Sequence, residues 1–497
     1  MIKENDNQPA ETGKRYWKSL NDYSESPQFR DWVEREFPQG ASMLDGVERR
    51  GFMKLMAASF GLAGLGLTSC RRPEHAILPY GKSPEELIPG VPNYYATSMP
   101  THCGFLPLIA ESHQGRPTKI EGNPSYLPFG GSTGIYAQAS VLDLYDPDRA
   151  KGSFERESVQ VGDASSSRWK KIGSQDALSK IKNWSTDGKV AILAESSFSA
   201  ARNHLSAELE KKGVLWAEHD TLSSNSIEKE LGQALGQKLP IRTIPKLQKV
   251  SRVLSLDCDF MGREPYALAN SRNFMSGRKV LKPSDAHKMN RLYSVESDLT
   301  LTGGVADHRL RLESSNFVSF SALLAAEVLK LGKKKDQSLI EHLSEIGKSA
   351  ETHIEWIKEC AKDLRTKPNR SVVLAGKHLP VEVHLAAFAI NQSLGSIGKS
   401  VDYLSVPDTS SAQLSDLVAS IESGEVDSLI LLGGNPIHST SGFIDWSEVL
   451  GKVKNSARIG FSLDESSQLC DLHIGQSHFL ECWDLGQTWD QTAIIPT

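Results

Sequence analysis

Lys189-Val190-Ala191-Ile192-Leu193-Ala194, a helical stretch over 199–212 closed by Gly213, and then Val214-Leu215-Trp216-Ala217 form the unit whose reading decides the fold. The first run is short and apolar, the pattern of a strand buried on both faces. The middle segment is amphipathic and of helix length, and a glycine follows it where a helix stops. Strand, helix and strand in this order make the βαβ unit of a parallel sheet. Strands over 250–256, 292–295 and 310–312, with two or three helices between 317 and 364, continue the rhythm. It resumes with Ser371-Val372-Val373-Leu374-Ala375-Gly376, a helix over 381–394 ahead of Gly395, and Leu429-Ile430-Leu431-Leu432-Gly433-Gly434-Asn435-Pro436. A helix over 443–450 and a strand over 459–463 follow. The sequence predicts an α/β protein with two doubly wound parallel-sheet domains, 168–365 and 366–497.

Upstream the character changes. Residues 101–167 are expected to form a small β-rich unit, with strands at 104–110 and 118–121 around the turn Ser112-His113-Gln114-Gly115-Arg116-Pro117. Residues 71–100 carry prolines at 73, 79, 84, 89, 92 and 100, so an extended linker is expected. Residues 1–47 are polar, with scattered aromatics such as Trp17, Phe29, Trp32 and Phe37. Isolated aromatics on so short a segment cannot build a core, so this stretch reads as a docking arm of two short helices.

Between arm and linker lies Glu48-Arg49-Arg50-Gly51-Phe52-Met53-Lys54, an apolar Gly-rich run over 55–68, and Ser69-Cys70. Arg49, Arg50, Phe52 and Lys54 ahead of an apolar run resemble a twin-arginine export signal. The run is shorter than the ~20 residues a membrane-spanning helix needs. Leu67-Thr68-Ser69-Cys70 resembles a lipobox, which would place an acyl tether on Cys70. A buried Ala/Gly/Leu helix after a basic turn is the competing expectation.

The chain has 497 residues, 39% hydrophobic and 24% charged, enough for about three domains. A net charge of −5 gives no case for nucleic-acid binding. The six cysteines (Cys70, Cys103, Cys258, Cys360, Cys470, Cys482) include no C-x-x-C pair, so no iron–sulfur or structural zinc loop is indicated. Cys258 and Cys360 are expected to be buried packing. His473 and His478, five apart, lack the helical metal-pair spacing and read as structural or surface residues.

For chemistry, Gly433-Gly434-Asn435-Pro436 is the best-shaped candidate. It follows a buried strand, where ligands bind in open α/β sheets, and its glycines would let backbone approach a phosphate or pterin. A plain βα turn uses the same residues. No dinucleotide fingerprint, P-loop or nucleophile elbow occurs. Asp307-His308-Arg309 reads as an Asp–Arg pair fixing a turn, with a polar binding loop as the alternative. No catalytic residue and no metal ligand is nominated.

Several longer motifs are distinctive. They are Arg72-Pro73 with Ile77-Leu78-Pro79-Tyr80; Pro89-Gly90-Val91-Pro92-Asn93-Tyr94-Tyr95-Ala96-Thr97; Gly115-Arg116-Pro117-Thr118-Lys119-Ile120-Glu121-Gly122-Asn123-Pro124; and Leu142-Asp143-Leu144-Tyr145-Asp146-Pro147-Asp148-Arg149. With the internal twin-arginine signal, Ala306-Asp307-His308-Arg309 and the 433–436 turn, they resemble the large, molybdopterin-oxidoreductase-like periplasmic component of bacterial alternative complex III. The resemblance runs from about residue 14 to residue 496. It implies a molybdopterin-oxidoreductase-like fold at the periplasmic face of the bacterial inner membrane. It also implies a complex that oxidises quinol and passes electrons to cytochrome c or a similar carrier. The implied partners are a polytopic quinol-binding membrane subunit, a multi-haem cytochrome c subunit and an iron–sulfur ferredoxin-like region. In that family the molybdopterin-like part carries no molybdenum cofactor, and the clusters lie in a second part. Only Cys103 lies where a true molybdopterin enzyme often clusters cysteines, and one thiolate cannot hold a cluster. This stretch is therefore expected to hold no cofactor. The strand-like close Ile494-Ile495-Pro496-Thr497 suggests a truncated second domain, with iron–sulfur clusters expected in a missing C-terminal part.

Two rival readings remain. One is the cofactor-binding half of a genuine molybdopterin oxidoreductase of the polysulfide or thiosulfate type, with the loops at Glu195-Ser196 and 433–435 as its binding elements. The other is a non-catalytic exported binding protein with two α/β domains.

Overall fold

The computed structural model describes residues 87–497, except 162–163, 222–224, 334, 408–411, 441 and 443, together with Pro27. The expected export signal (Arg49, Arg50, Phe52, Lys54), Cys70, the expected docking arm apart from Pro27 and the expected linker up to residue 86 lie outside the described residues. In chain order the strands are β1 Asn93–Thr101, β2 Gly104–His113, β3 Arg116–Gly122, β4 Ser153–Val161, β5 Ala164–Ile172, β6 Val190–Ala194, β7 Leu215–Glu218, β8 Ile241–Pro245 and β9 Arg252–Leu256. They continue as β10 Arg291–Glu296, β11 His308–Arg311, β12 Ser371–Ala375, β13 Val401–Ser405, β14 Ser428–Leu432, β15 Asn455–Gly460, β16 Leu472–Gly475, β17 Leu485–Gln487 and β18 Ile494–Pro496.

β1, β2 and β3 make an antiparallel sheet against which the helix Ile135–Leu144 packs. The remaining chain builds two larger sheets, each with helices on both faces. One has four parallel strands in the order β11-β10-β9-β12. On one face the helices Phe317–Lys330, Ile354–Thr366 and Val381–Leu394 bury Leu254, Val295, Phe320, Leu324, Ile357 and Ile390. The other face is closed by Phe260, Phe274 and Leu247 over Val253, Leu292 and Val372. Apolar cover on both sides is why β9, β10 and β12 read as near-continuous hydrophobic runs.

The second sheet has seven strands in the order β5-β4-β16-β15-β14-β6-β7, with β4 and β5 antiparallel at one edge. Its core lies in two layers, one around Leu193, Leu417, Ile421, Leu429, Leu431 and Trp446, the other around Ile192, Trp216, Ile430, Ala457 and Leu472.

Among the described residues most predicted strands and helices form, but not in the predicted sheets: β1 lies where an extended linker was expected, and β4 and β5 run across the expected boundary at 167 into the seven-stranded sheet. β12 belongs with β9, Ser371 opposite Arg252, so a boundary at 366 cuts the four-stranded sheet. β6 pairs with β14, Val190 opposite Ser428, so the chain leaves the larger sheet, builds the smaller one and returns. Apolar periodicity marks strands but not partners; pairing across so many residues is decided by packing. The strand expected over 459–463 lies over Asn455–Gly460, because its polar half, including Arg458, is buried in the sheet rather than exposed in a turn. Among the described residues no helix is long and apolar enough to cross a membrane.

Candidate functional site

The strand orders place two switch points. In the four-stranded sheet β10 and β11 extend to one side of β9 and β12 lies on the other. In the seven-stranded sheet β7 lies on one side of β6, and β14, β15 and β16 extend on the other. Loops leaving adjacent strands there diverge and open a crevice, the usual ligand seat of open α/β sheets.

At the β6/β14 crevice the predicted loop Gly433–Pro436 faces Glu195. Gly433 and Gly434 both take positive φ, 66° and 57°. Gly434 N–H donates to Glu195 Oε2 at 2.9 Å, and a Cβ on Gly433 would collide with the same carboxylate. Arg458, only 2% exposed, braces the turn from beneath: it donates to the carbonyls of Gly433 (2.9 Å) and Gly434 and pairs with Asp464 at 2.8 Å. Asn435 Nδ2 donates to Glu465 Oε2 at 2.7 Å, and Ser466 Oγ donates to Asn435 Oδ1 at 2.6 Å. The turn is thus braced beneath by Arg458 and held by Glu195 and Glu465, with Gly434 itself exposed. Pro436 starts the short helix Pro436–Ser439 and is itself buried.

The β9/β12 crevice is lined by Asp257, Gly376, Lys377 and His378. Gly376 runs against the backbone of Asp257, leaving no room for a Cβ. Asp257 accepts from Ser297 N–H (3.1 Å) and Oγ (2.9 Å), and His378 Nε2 lies 3.3 Å from Asp257 Oδ2. That contact raises the His378 imidazole above its ordinary value. Lys377 turns inward. Its Nζ sits 3.5 Å from the centre of the Trp489 ring and 3.4 Å from Glu228 Oε1. Burial pulls the ammonium down to about 8. Arg242 covers Trp489 at 3.7 Å and forms a two-pronged pair with Glu228 at 2.9 and 3.0 Å. Beneath this stack is a cavity of about 70 Å³, lined in part by Glu228, Glu264, Lys377, His384 and Tyr403.

Residues 484–493 connect the two crevices. Asp484 accepts from Ser199 Oγ at 2.5 Å and Gln487 N–H donates to Phe198 O at 3.1 Å, both beside the β6 loop. Trp489 fills the β12 crevice and is 4% exposed. Asp490 accepts from Tyr266 (2.7 Å) and Tyr126 (3.2 Å) on the far side.

The other sequence candidates lie elsewhere. Asp307 pairs with Arg278 rather than Arg309, and accepts from Leu292 N–H at 2.8 Å; Arg309 pairs with Glu296. The motif therefore supplies two separate structural pairs, not one turn-fixing pair. Cys258 and Cys360 are buried, and burial pushes both thiols up. His473 and His478 are also buried, and burial pulls both imidazoles down. Lys377, Arg242 and Trp489 carried no local signal. The available hint was Gly376, which follows a buried strand as Gly433 does.

No protein-family model matches the chain, and no curated protein matches it in sequence. Among solved structures, acetylene hydratase from Pelobacter acetylenicus superposes with a TM-score of 0.60 at 11% identity, over 79% of this chain. The chain spans 64% of the length of that protein. The likeness establishes the fold as molybdopterin-oxidoreductase-like, with doubly wound parallel sheets.

At the two crevices the Gly434 N–H donates to the Glu195 carboxylate, and an indole lies between two cations. Among the described residues no cluster of three or more His, Cys, Asp or Glu side chains is arranged to hold a metal.

Proposed function

We propose that this chain is the structural and docking part of the periplasmic subunit of a quinol-oxidising membrane complex of the alternative complex III type. In this reading it binds no cofactor of its own. Electrons from quinol pass to cytochrome c or a similar carrier through a multi-haem cytochrome c subunit and an iron–sulfur ferredoxin-like region. A polytopic membrane subunit supplies the quinol site. Export follows the twin-arginine route through Arg49 and Arg50, and Cys70 carries the lipid tether. The long sequence motifs support the complex assignment. The observation that carries the cofactor-free reading is that the chain's own side chains, Glu195 and Trp489, occupy both switch-point crevices.

The test is metal analysis of the purified chain together with pterin fluorescence after acid oxidation. Neither molybdenum nor pterin is expected at one per chain. Either one at that ratio would instead support the reading as the cofactor-binding half of a molybdopterin oxidoreductase of the polysulfide or thiosulfate type. Co-purification from membranes with the multi-haem, polytopic and iron–sulfur partners tests the assembly. Their absence would favour a free-standing exported binding protein.

A further inference from the structure

The loop that joins the helix Ala267–Ser276 to β10 is closed at its base and open at its tip. Asn290 N–H donates to Gly277 O at 3.2 Å, and Asn290 Nδ2 donates to Phe274 O at 2.8 Å. Arg278 Nε donates to Asn290 Oδ1 at 3.0 Å, and its guanidinium pairs with Asp307. These bonds fix the base to the body of the fold. The tip, Lys279-Val280-Leu281-Lys282, is exposed throughout, with Leu281 75% and Val280 42% accessible. On the preceding helix Arg272 and Met275, three apart, share an exposed face. Arg272 also donates to the carbonyl of Leu127 at 2.9 Å, and the Leu127 side chain is 81% exposed.

Single exposed leucines are ordinary, but here they come with an unusual charge. The chain as a whole carries −5, yet residues 272–288 hold the cations Arg272, Arg278, Lys279, Lys282 and Lys288 against one acid, Asp285. Asp285 pairs with Lys288 at 2.9 Å, and Arg278 is taken by Asp307. Arg272, Lys279 and Lys282 have no carboxylate partner among the described residues. The face is therefore apolar and cationic together. The core of a protein–protein interface is depleted in lysine. Apolar side chains flanked by lysine and arginine are the pattern of a segment that lies in a bilayer interface.

We propose that this loop rests on an anionic phospholipid surface. Val280 and Leu281 enter the boundary between headgroups and acyl chains, while Lys279, Lys282 and Arg272 meet lipid phosphates. Charge complementarity selects the occupant: each lysine near an anionic surface raises partitioning about fivefold, and less as salt screens it. A single acyl chain, as proposed at Cys70, gives only reversible binding, and a basic apolar contact is the kind of second signal that makes it stable. The contact rests on the membrane-face placement proposed above only for its setting. Co-purification tests the partner set, and vesicles test the loop.

The experiment is hydrogen exchange of the full chain with vesicles of phosphatidylcholine alone or of an equimolar mixture with phosphatidylglycerol. Protection of amides over 278–282 is expected with the anionic vesicles and not with the neutral ones. Lys279→Gln with Lys282→Gln is expected to raise the lipid concentration that half-protects the loop by at least about tenfold. Leu281→Ser is expected to raise it as well. Lys348→Gln with Lys362→Gln, exposed lysines elsewhere, should leave it unchanged. No protection by anionic vesicles, equal protection by neutral ones, or an unchanged midpoint in the tip variants overturns the proposal. Equal protection by soluble polyglutamate would assign the tip to an acidic protein, and protection that grows with chain concentration alone would assign it to a second copy. Either result overturns the lipid contact.

Discussion

At the scale of single residues, the most consequential groups are polar side chains in places where apolar ones are the rule. His473 is fully buried: Nδ1 meets Ser467 Oγ at 3.0 Å and Nε2 has no partner. Burial, with Arg458 adding to it, pulls its imidazole down to about 4, and burial does the same to His384. An unfolded chain takes up these protons near pH ~6.5, whereas the fold resists them until about pH 4. The contribution to stability is therefore complete above pH ~6.5 and lost as pH falls toward 4, on the order of 3 kcal/mol for each histidine. Urea midpoints measured between pH 7 and pH 4 should fall steeply for the wild type and less steeply for His473→Gln. Equal slopes would show that His473 binds its proton equally well in the fold and in the unfolded chain.

At the scale of elements, β15 shows what a hydrophobic pattern misses. Its residues Asn455-Ser456-Ala457-Arg458 look like a turn, yet they form a central strand between β14 and β16. Arg458 makes this possible by satisfying the two glycine-turn carbonyls and Asp464 at once. Arg458→Leu keeps the apolar stem but leaves Asp464 without its cation, held only by Ser467, and two carbonyls without their donor. A loss of about 3–5 kcal/mol is expected by chemical denaturation, the range for stripping one partner from a buried pair. A loss under about 1 kcal/mol would mean that water replaces the guanidinium at this turn. By contrast, the helix Val381–Leu394 was legible to the residue, because Gly395 at φ 66° ends it through local chemistry alone.

At the scale of the whole molecule, residues 484–493 tie the β6 loop, the β12 loop and the tyrosines Tyr126 and Tyr266 into one packed region. Trp489 is the centre of that packing. Trp489→Ala should cost about 3–5 kcal/mol, the usual range for deleting a buried aromatic. It should also raise amide hydrogen exchange over 484–497 and 377–379 while β9 and β14 stay protected. Unchanged exchange at 377–379 would show that the segment is not what holds the β12 loop.

The sequence by itself determined the α/β class, the buried parallel strands β6, β9, β12 and β14, and the glycine turn at 433–436. Each of these is written in short-range patterns of apolar residues and turn formers, which act within a few positions. Only the tertiary structure decided which strands share a sheet, that Glu195 fills the 433–434 turn, and that Trp489 stands between Arg242 and Lys377. The deciding contacts, β6 with β14, β9 with β12, Glu195 with Gly434 and Trp489 with Arg242 and Lys377, join residues more than a hundred positions apart. Their partners are selected by shape and charge complementarity once the sheets have closed, and no local pattern in the chain encodes them.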